Sequence, residues 1–491
     1  MNVFTNAYMR RAGWVVVAFF IAFGTSLWMS WRAEASSGHL LTDGELMTRL
    51  FLIPSLFATF VLALTSTLYP LRARAAPAAP PPAIAKEAAP FMAQVVGLQW
   101  LNPLQRKDYP TEWQLLWTLG LAKHNQDDDM VTGNPQKYSK VQAISSVAVG
   151  DEGKMSFKHY HEQYFLQLMV LYRDIYFSDS TYFYNAHSLE DKSTWRELAG
   201  IHVEYALPIG KFDLVEITKY TQETIASYFD IGNINFPNSW TRSTPPDVRV
   251  TMDGPNAGFT SLAAGLDYLQ AHPSETVWVM NWDAPSRPKD RQINENMVQL
   301  ILAGPNYQTG RAPLAWLGYP ATSKLTDFES KPDLPSRTVQ AWKAALAKAA
   351  LDGGKPKADI GFVIHDAGNG HAASSDRIAG LAQTVTEELP ELNFLNQTFN
   401  TPALLGEMGA GTALTNVALA IAYANHMGKT VLVAGTTDET QQVATLVLPP
   451  KVVRPIVPDK PWFRARGGNH VRLPWWGLRH DSTISQQGFS K

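Results

Sequence analysis

The 491-residue sequence contains no cysteine. That single absence excludes a disulfide framework, a thiolate metal site, a redox pair and a cysteine nucleophile. It leaves the compartment open, because a cysteine-free chain suits the cytosol and the periplasm alike. Charge is scarce as well: Asp, Glu, Lys and Arg make up 18% of the residues, and the formal net charge is −2. So weak a balance gives no global attraction to nucleic acid or to an acidic membrane, and nucleic acid is not an expected partner. What is plentiful is apolar. Hydrophobic residues form 45% of the chain, including 15 Trp, which excludes a disordered or coiled-coil protein. The length suits roughly two to three domain-sized units.

The first ninety residues stand apart. Gly13–Trp31 and Leu50–Leu71 carry no charged side chain. Each approaches the ~20 apolar residues that cross a bilayer core. Trp14, Trp28, Trp31 and Tyr69 lie near their ends, where amphipathic rings favour the interface. Arg10 and Arg11 precede the first segment, and Arg72 and Arg74 follow the second. The Lys/Arg bias predicts two membrane-spanning helices with both ends in the cytoplasm. A cleaved signal peptide is the rival reading, since Ala33-Glu34-Ala35 has the small-x-small form of a cleavage site. Residues 1–74 are therefore expected to be a two-helix membrane anchor. Residues 75–92, rich in Ala and Pro, form a stiff linker.

From Ala93 onward short apolar runs alternate with helix-period stretches. Strands are predicted at Ala93–Trp100, Val277–Trp282, Leu314–Tyr319, Ile360–His365, Thr430–Ala434 and Val443–Leu448. Helices are predicted at Glu112–Leu121, Phe259–Ala271, Ser336–Leu351, Ser374–Leu389 and Thr412–His426, with helical spacing from Phe157 to Leu171. Strands spaced by helices indicate α/β architecture. A small-residue turn, a helix and a Val-rich strand run from Ala257 through Thr276-Val277-Trp278-Val279. The same order recurs from Gly411 through Thr430-Val431-Leu432-Val433, which suggests an internal duplication.

These segments resemble the thiolase and ketosynthase superfamily, whose fold repeats one α/β unit. Ala257–Asp283 resembles its nucleophile turn, buried helix and following strand. Asp359–Asp366 resembles the strand leading to the first catalytic histidine, and Leu405–Gly411 the loop bearing the second. The resemblance implies thiolase-like halves at residues 93–310 and 311–450. The chemistry departs from it at each key position. The nucleophile turn reads Pro255-Asn256-Ala257-Gly258-Phe259, and nearby Ser261 lacks a nucleophile elbow. Asp366 occupies the first histidine position with His365 one residue before it, where a one-residue shift reverses the face of a strand. Glu407 occupies the second, and its carboxylate would repel a developing oxyanion. Ala257, Gly258, His365, Asp366 and Glu407 are thus expected to mark a degenerate pocket in a non-enzyme without a cofactor.

A second resemblance is narrower. Trp100-Leu-Asn-Pro-Leu-Gln-Arg-Lys-Asp-Tyr-Pro-Thr-Glu-Trp-Gln-Leu-Leu-Trp117, followed by Asn125-Gln-Asp-Asp-Asp-Met-Val131, resembles the type VI lipase adapter proteins. That resemblance implies a bacterial inner-membrane protein, two-pass, with a cytoplasmic body. Such a protein binds a phospholipase effector and helps load it onto the VgrG spike of a type VI secretion system. The alternatives are residual acyl-thioester binding or decarboxylation, or a non-catalytic partner of an active ketosynthase. A homodimer is a further option.

Other patterns are weaker. His159-Tyr-His161-Glu162 lies on a predicted helix, where residues 159 and 161 are about 200° apart and cannot share one metal. Asp127-Asp128-Asp129 is an acidic run of the kind that is usually solvated, and no metal site is expected. Gly368-x-Gly370 and Gly409-x-Gly411 fit tight turns rather than phosphate loops. In residues 451–491 eight basic residues face only Asp459 and Asp481, interleaved with Trp462, Phe463, Trp475 and Trp476. This basic aromatic tail has three candidate roles: wrapping its own body, docking on anionic lipid, or gripping an acidic partner. Arg464, Arg466, Trp475 and Trp476 are its candidate anchors, because Arg and Trp dominate interface energetics.

Overall fold

The computed structural model describes residues 16–32, 42–59, 90–101, 106, 108–141, 156–178, 201–229, 245–284, 296–308, 312–368, 372–457, 461–465 and 475–477. The chain divides into two compact units, Met1–Ala88 and Ala89–Lys491.

In the first unit, residues 16–32 (α1) and 43–59 (α2) are helical, with a π-helical turn at Thr48–Leu52. Thr42 and Glu45 form a capping box at the start of α2, and Phe23 meets Phe51 edge-on at 6.3 Å. Among the described residues no helix is long and apolar enough to cross a membrane. The two expected spanning helices are therefore not found among the described residues, which include 16–32 of the first segment and 50–59 of the second.

The second unit is a mixed α/β body, and its sheet explains the layering. The strands are β1 (Ala93–Leu101), β2 (His202–Pro208), β3 (Asp247–Asp253), β4 (Thr276–Asp283), β5 (Asn296–Ala303), β6 (Trp316–Leu317), β7 (Ala321–Lys324), β8 (Ile360–His365), β9 (Thr398–Asn400), β10 (Thr430–Gly435) and β11 (Gln441–Leu448). Their order is β3-β2-β4-β5-β1-β6-β11-β10-β8-β9, with β7 beside β11. In each half a parallel trio (β3-β2-β4 and β9-β8-β10) is followed by two antiparallel strands (β5, β1 and β11, β6). The two halves thus share one strand order and meet at β1–β6, where Ala93 pairs with Leu317 and Gln94 with Trp316. The strand expected at Leu314–Tyr319 shrinks to this two-residue β6.

Side chains alternate across these strands, and both faces are covered. Val277 and Val279 of β4, and Val431 and Val433 of β10, enter one central core with α7 (Ala257–Ala271), α10 (Thr412–Met427) and α3 (Thr111–Thr118). Trp278, Met280 and Trp282 point to an outer core under α5 (Phe157–Ser178) and α6 (Leu214–Tyr228). Leu432 and Ala434 point to the other outer core, under α8 (Arg337–Asp352) and α9 (Ala372–Glu388). Strands buried on both faces read as continuous apolar runs, which is why β4, β8, β10 and β11 are legible in the sequence. The edge strand β3 instead exposes Asp247, Arg249 and Asp253, charges that discourage pairing with another chain.

Candidate functional site

The α7 and α10 helices meet at their first turns. Gly258 permits this: a Cβ there would lie 2.9 Å from the Ala413 Cβ and 3.3 Å from the Leu414 backbone nitrogen. Ala257 is fully buried and clusters with Ala206 and Ala410. Three methyl groups, its own included, therefore meet at this turn.

The turn Gly409–Gly411 that carries Ala410 is held by the far half of the sheet. The Ala410 N–H donates to Asp283 Oδ2 (2.8 Å), and Asn281 Nδ2 donates to the Ala410 carbonyl (3.3 Å). Asp283 also accepts from the Ala284 N–H at 2.7 Å. Burial nevertheless outweighs these hydrogen bonds and pushes the Asp283 carboxyl up to about 6. The Asn296 carboxamide abuts Gly411, where a Cβ would sit 2.4 Å from Oδ1. Sequence reasoning missed Asn281, Asp283 and Asn296. The one available signal was an acid and two amides at the ends of apolar strands.

The remaining pocket positions are scattered. His365 follows Val363 onto the outer face and stacks on Phe394 at 5.9 Å. The Ala367 N–H donates to its Nδ1 (3.3 Å), so the proton sits on Nε2, and burial lowers its pKa to about 4. Asp366 is buried at the end of β10, where its Oδ1 accepts from the Thr436 N–H (2.5 Å) and hydroxyl (2.8 Å). Burial raises its pKa despite these bonds. Glu407 is exposed beside Gly368, whose φ of +87° favours glycine. Ser261 is fully buried one turn into α7.

Residues 462–465 and 475–476 of the tail pack on the body. The Trp462 backbone is bracketed by Asn125, which accepts from its N–H and donates to its carbonyl, both at 2.7 Å. The Arg464 guanidinium, 5% exposed, reaches Asp108 (2.7 Å), Asp129 (2.5 Å) and Asp128 (3.3 Å). Fully buried Arg106 joins the same carboxylates, at 2.9 Å from Asp108 and 2.7 Å from Asp128. Desolvation works against both guanidiniums, but the carboxylates prevail and raise both pKa values. Farther on, Trp476 exchanges backbone hydrogen bonds with Leu98 of β1 (3.0 and 3.2 Å). Trp475 and Trp476 consequently enter opposite cores, as neighbours on a strand must. Arg464, Trp475 and Trp476 thus sit inside the body and not on a surface open to a partner; Arg466 lies outside the described residues.

The acidic run is structural in its middle member. Asp128 Oδ1 caps the helix Asp129–Gly133 (α4) by accepting from the Met130 and Val131 N–H groups, while Oδ2 accepts from Arg106 and Tyr109 at 2.7 Å each. His159 is exposed near Glu162, whereas His161 is buried against the Tyr205 hydroxyl (2.7 Å). Among the described residues no group of three His, Asp or Glu side chains is placed to hold a metal.

The sheet and its packing define the class: a mixed α/β body built from two halves of one strand order. Residues 314–449 of it match the model of type VI lipase adapter protein Tla3, C-terminal. Among curated proteins none matches at a significant level. Solved structures similar to the chain include ketosynthases. One is an oxazolomycin ketosynthase domain of Streptomyces albus, with 13% identity and TM-score 0.43, covering 77% of this chain and 100% of that one. Another is the ketosynthase from module 6 of the bacillaene synthase of Bacillus subtilis, with 10% identity and TM-score 0.47, covering 73% and 70%.

Proposed function

We propose that this chain is a type VI lipase adapter that binds a phospholipase effector and helps load it onto a VgrG-like spike. The family match over residues 314–449 carries this reading. The body works by binding, as a pseudo-ketosynthase without turnover. Support for that half comes from the alanine-packed turn at Ala257, the absence of cysteine, and the burial of His365 against Phe394 on the face of β8 away from α7. A nucleophile and an oxyanion donor are both required for acyl transfer, and the turn supplies no nucleophile. A membrane tether through the N-terminal segments completes the reading. Its support is the apolar surface that α1 and α2 expose, including Phe20, Ile21, Trp28, Trp31, Phe51 and Leu56.

The decisive experiment is co-purification of the full chain with lipases encoded beside its gene. A specific complex that survives high salt is expected, and failure to retain any of them counts against the adapter role. Turnover of an acyl thioester that disappears in Glu407→Ala would overturn the non-catalytic half.

A further inference from the structure

The contact between the tail and residues 106–129 has the form of a peptide in a recognition groove. A tetrapeptide, Trp462–Ala465, is held through its backbone at three points: both Asn125 bonds to Trp462, and the Ala465 N–H donating to the Asp108 carbonyl at 2.7 Å. Backbone contacts of this kind fix an extended segment in register without reading its side chains. Specificity is added by two pockets. The Trp462 side chain enters the central core, and the Arg464 guanidinium spans three carboxylates with its Cζ 5.6 Å from the Tyr109 ring. A planar fork that reaches separate carboxylates through Nε and Nη1 favours arginine over lysine.

Charge identifies the occupant that the groove requires. Its lining comprises Asp108, Asp128 and Asp129 against the single guanidinium of Arg106, so an unfilled groove is anionic. Within it, buried Arg106 keeps Nη1 without a hydrogen-bond partner among the described residues. Asp128 and Arg106 are buried, so a cation placed there is poorly screened by solvent. We infer that this groove is a recognition site for an extended Trp-x-Arg peptide, and that the chain's own Trp462-Phe463-Arg464 is its resident ligand. A segment of the same form supplied in trans competes with the tail for the groove. In cis the tail has the advantage of a high effective concentration. The inference rests on the groove alone and not on the adapter reading.

The test uses the full chain and a fluorescent peptide with the sequence of residues 459–467. The wild type, its groove filled, should bind it weakly. Arg464→Ala loosens the resident ligand and should bind the peptide at least about tenfold more tightly, the equivalent of one charge-assisted hydrogen bond. A peptide whose own central arginine is replaced by alanine should lose that gain. Adding Asp129→Lys, at an exposed position, should abolish it as well. Should Arg464→Ala fail to fold, Arg464→Lys keeps the charge without the fork and should give a smaller gain in the same direction. Equal binding to wild type and to a cooperatively folded variant would overturn the proposal. So would indifference to the peptide's arginine.

Discussion

The run Asp127-Asp128-Asp129 offers three adjacent, chemically identical side chains in three environments. Asp128→Ala removes the cap of α4, worth about 1 kcal/mol. It also deprives buried Arg106 and the Tyr109 hydroxyl of a shared acceptor. Breaking a buried ion pair by removing one partner costs about 3–5 kcal/mol. The two losses share one carboxylate and do not add fully, so a total of about 4 kcal/mol is expected. Asp129→Ala removes a contact to Arg464 at a 73% exposed position, worth about 0–1 kcal/mol. Asp127 is exposed, and its replacement should fall in the same small range. Denaturant unfolding read by the fluorescence of the chain's 15 tryptophans, Trp113 stacked on Tyr109 at 3.8 Å among them, suits the comparison of global stability. Added salt should weaken the Asp129 effect and spare that of Asp128. Burial works to raise the Asp128 pKa, yet the Tyr109 and Arg106 bonds outweigh it and the pKa is lowered. The stability from Asp128 is therefore present above its unfolded pKa and lost as pH falls through the lower folded value. Three alanine variants of equal stability would refute the assignment of Asp128 as the hub.

Three further predictions concern the body and the anchor. Trp476→Ala empties a site that is 2% exposed and should cost about 3–5 kcal/mol, with faster hydrogen exchange at the Leu98 amide as the local readout. In the acid range two buried groups oppose one another. Burial lowers His161 to about 3, so the folded chain binds fewer protons than the unfolded chain below pH ~6.5, and this stability is lost as pH falls. Asp283, raised to about 6, binds more protons when folded, and its contribution is lost as pH rises from ~4 through 6. His161→Phe and Asp283→Asn should therefore change the slope of stability against pH in opposite directions; parallel slopes would refute the signs. Finally, the full chain should partition with membranes and leave them on deletion of residues 1–74, a result that an unchanged distribution would contradict.

Legibility in the sequence followed burial. Strands covered on both faces gave uninterrupted apolar runs, so β8 spans Ile360–His365 as expected and α10 differs from its expected end by one residue. The edge strand β3, Asp-Val-Arg-Val-Thr-Met-Asp, carries polar residues on its open side and no such run. The one-residue offset between His365 and Asp366 is resolved by strand parity, since His365 shares the face of Val363 and turns away from α7. By contrast, no periodicity could announce that Asn281, Asp283 and Asn296 converge on one turn. They lie on two strands and reach a loop in the other half.

The tail shows the same limit from the opposite side. Its Arg and Trp content suits a segment that binds something, because an indole offers a large apolar face and a guanidinium makes several charge-assisted hydrogen bonds at once. Composition cannot say whether the acidic, aromatic surface it fits belongs to another molecule or to its own chain. Here that surface is Tyr109, Asn125 and the carboxylates around Arg106, more than three hundred residues earlier in the chain. These residues fall in the two sequence segments 100–117 and 125–131, which thus have an architectural duty: they receive the described residues of the tail. If the proposed adapter role holds, the surface that binds an effector lies elsewhere on the body or forms when the tail is displaced.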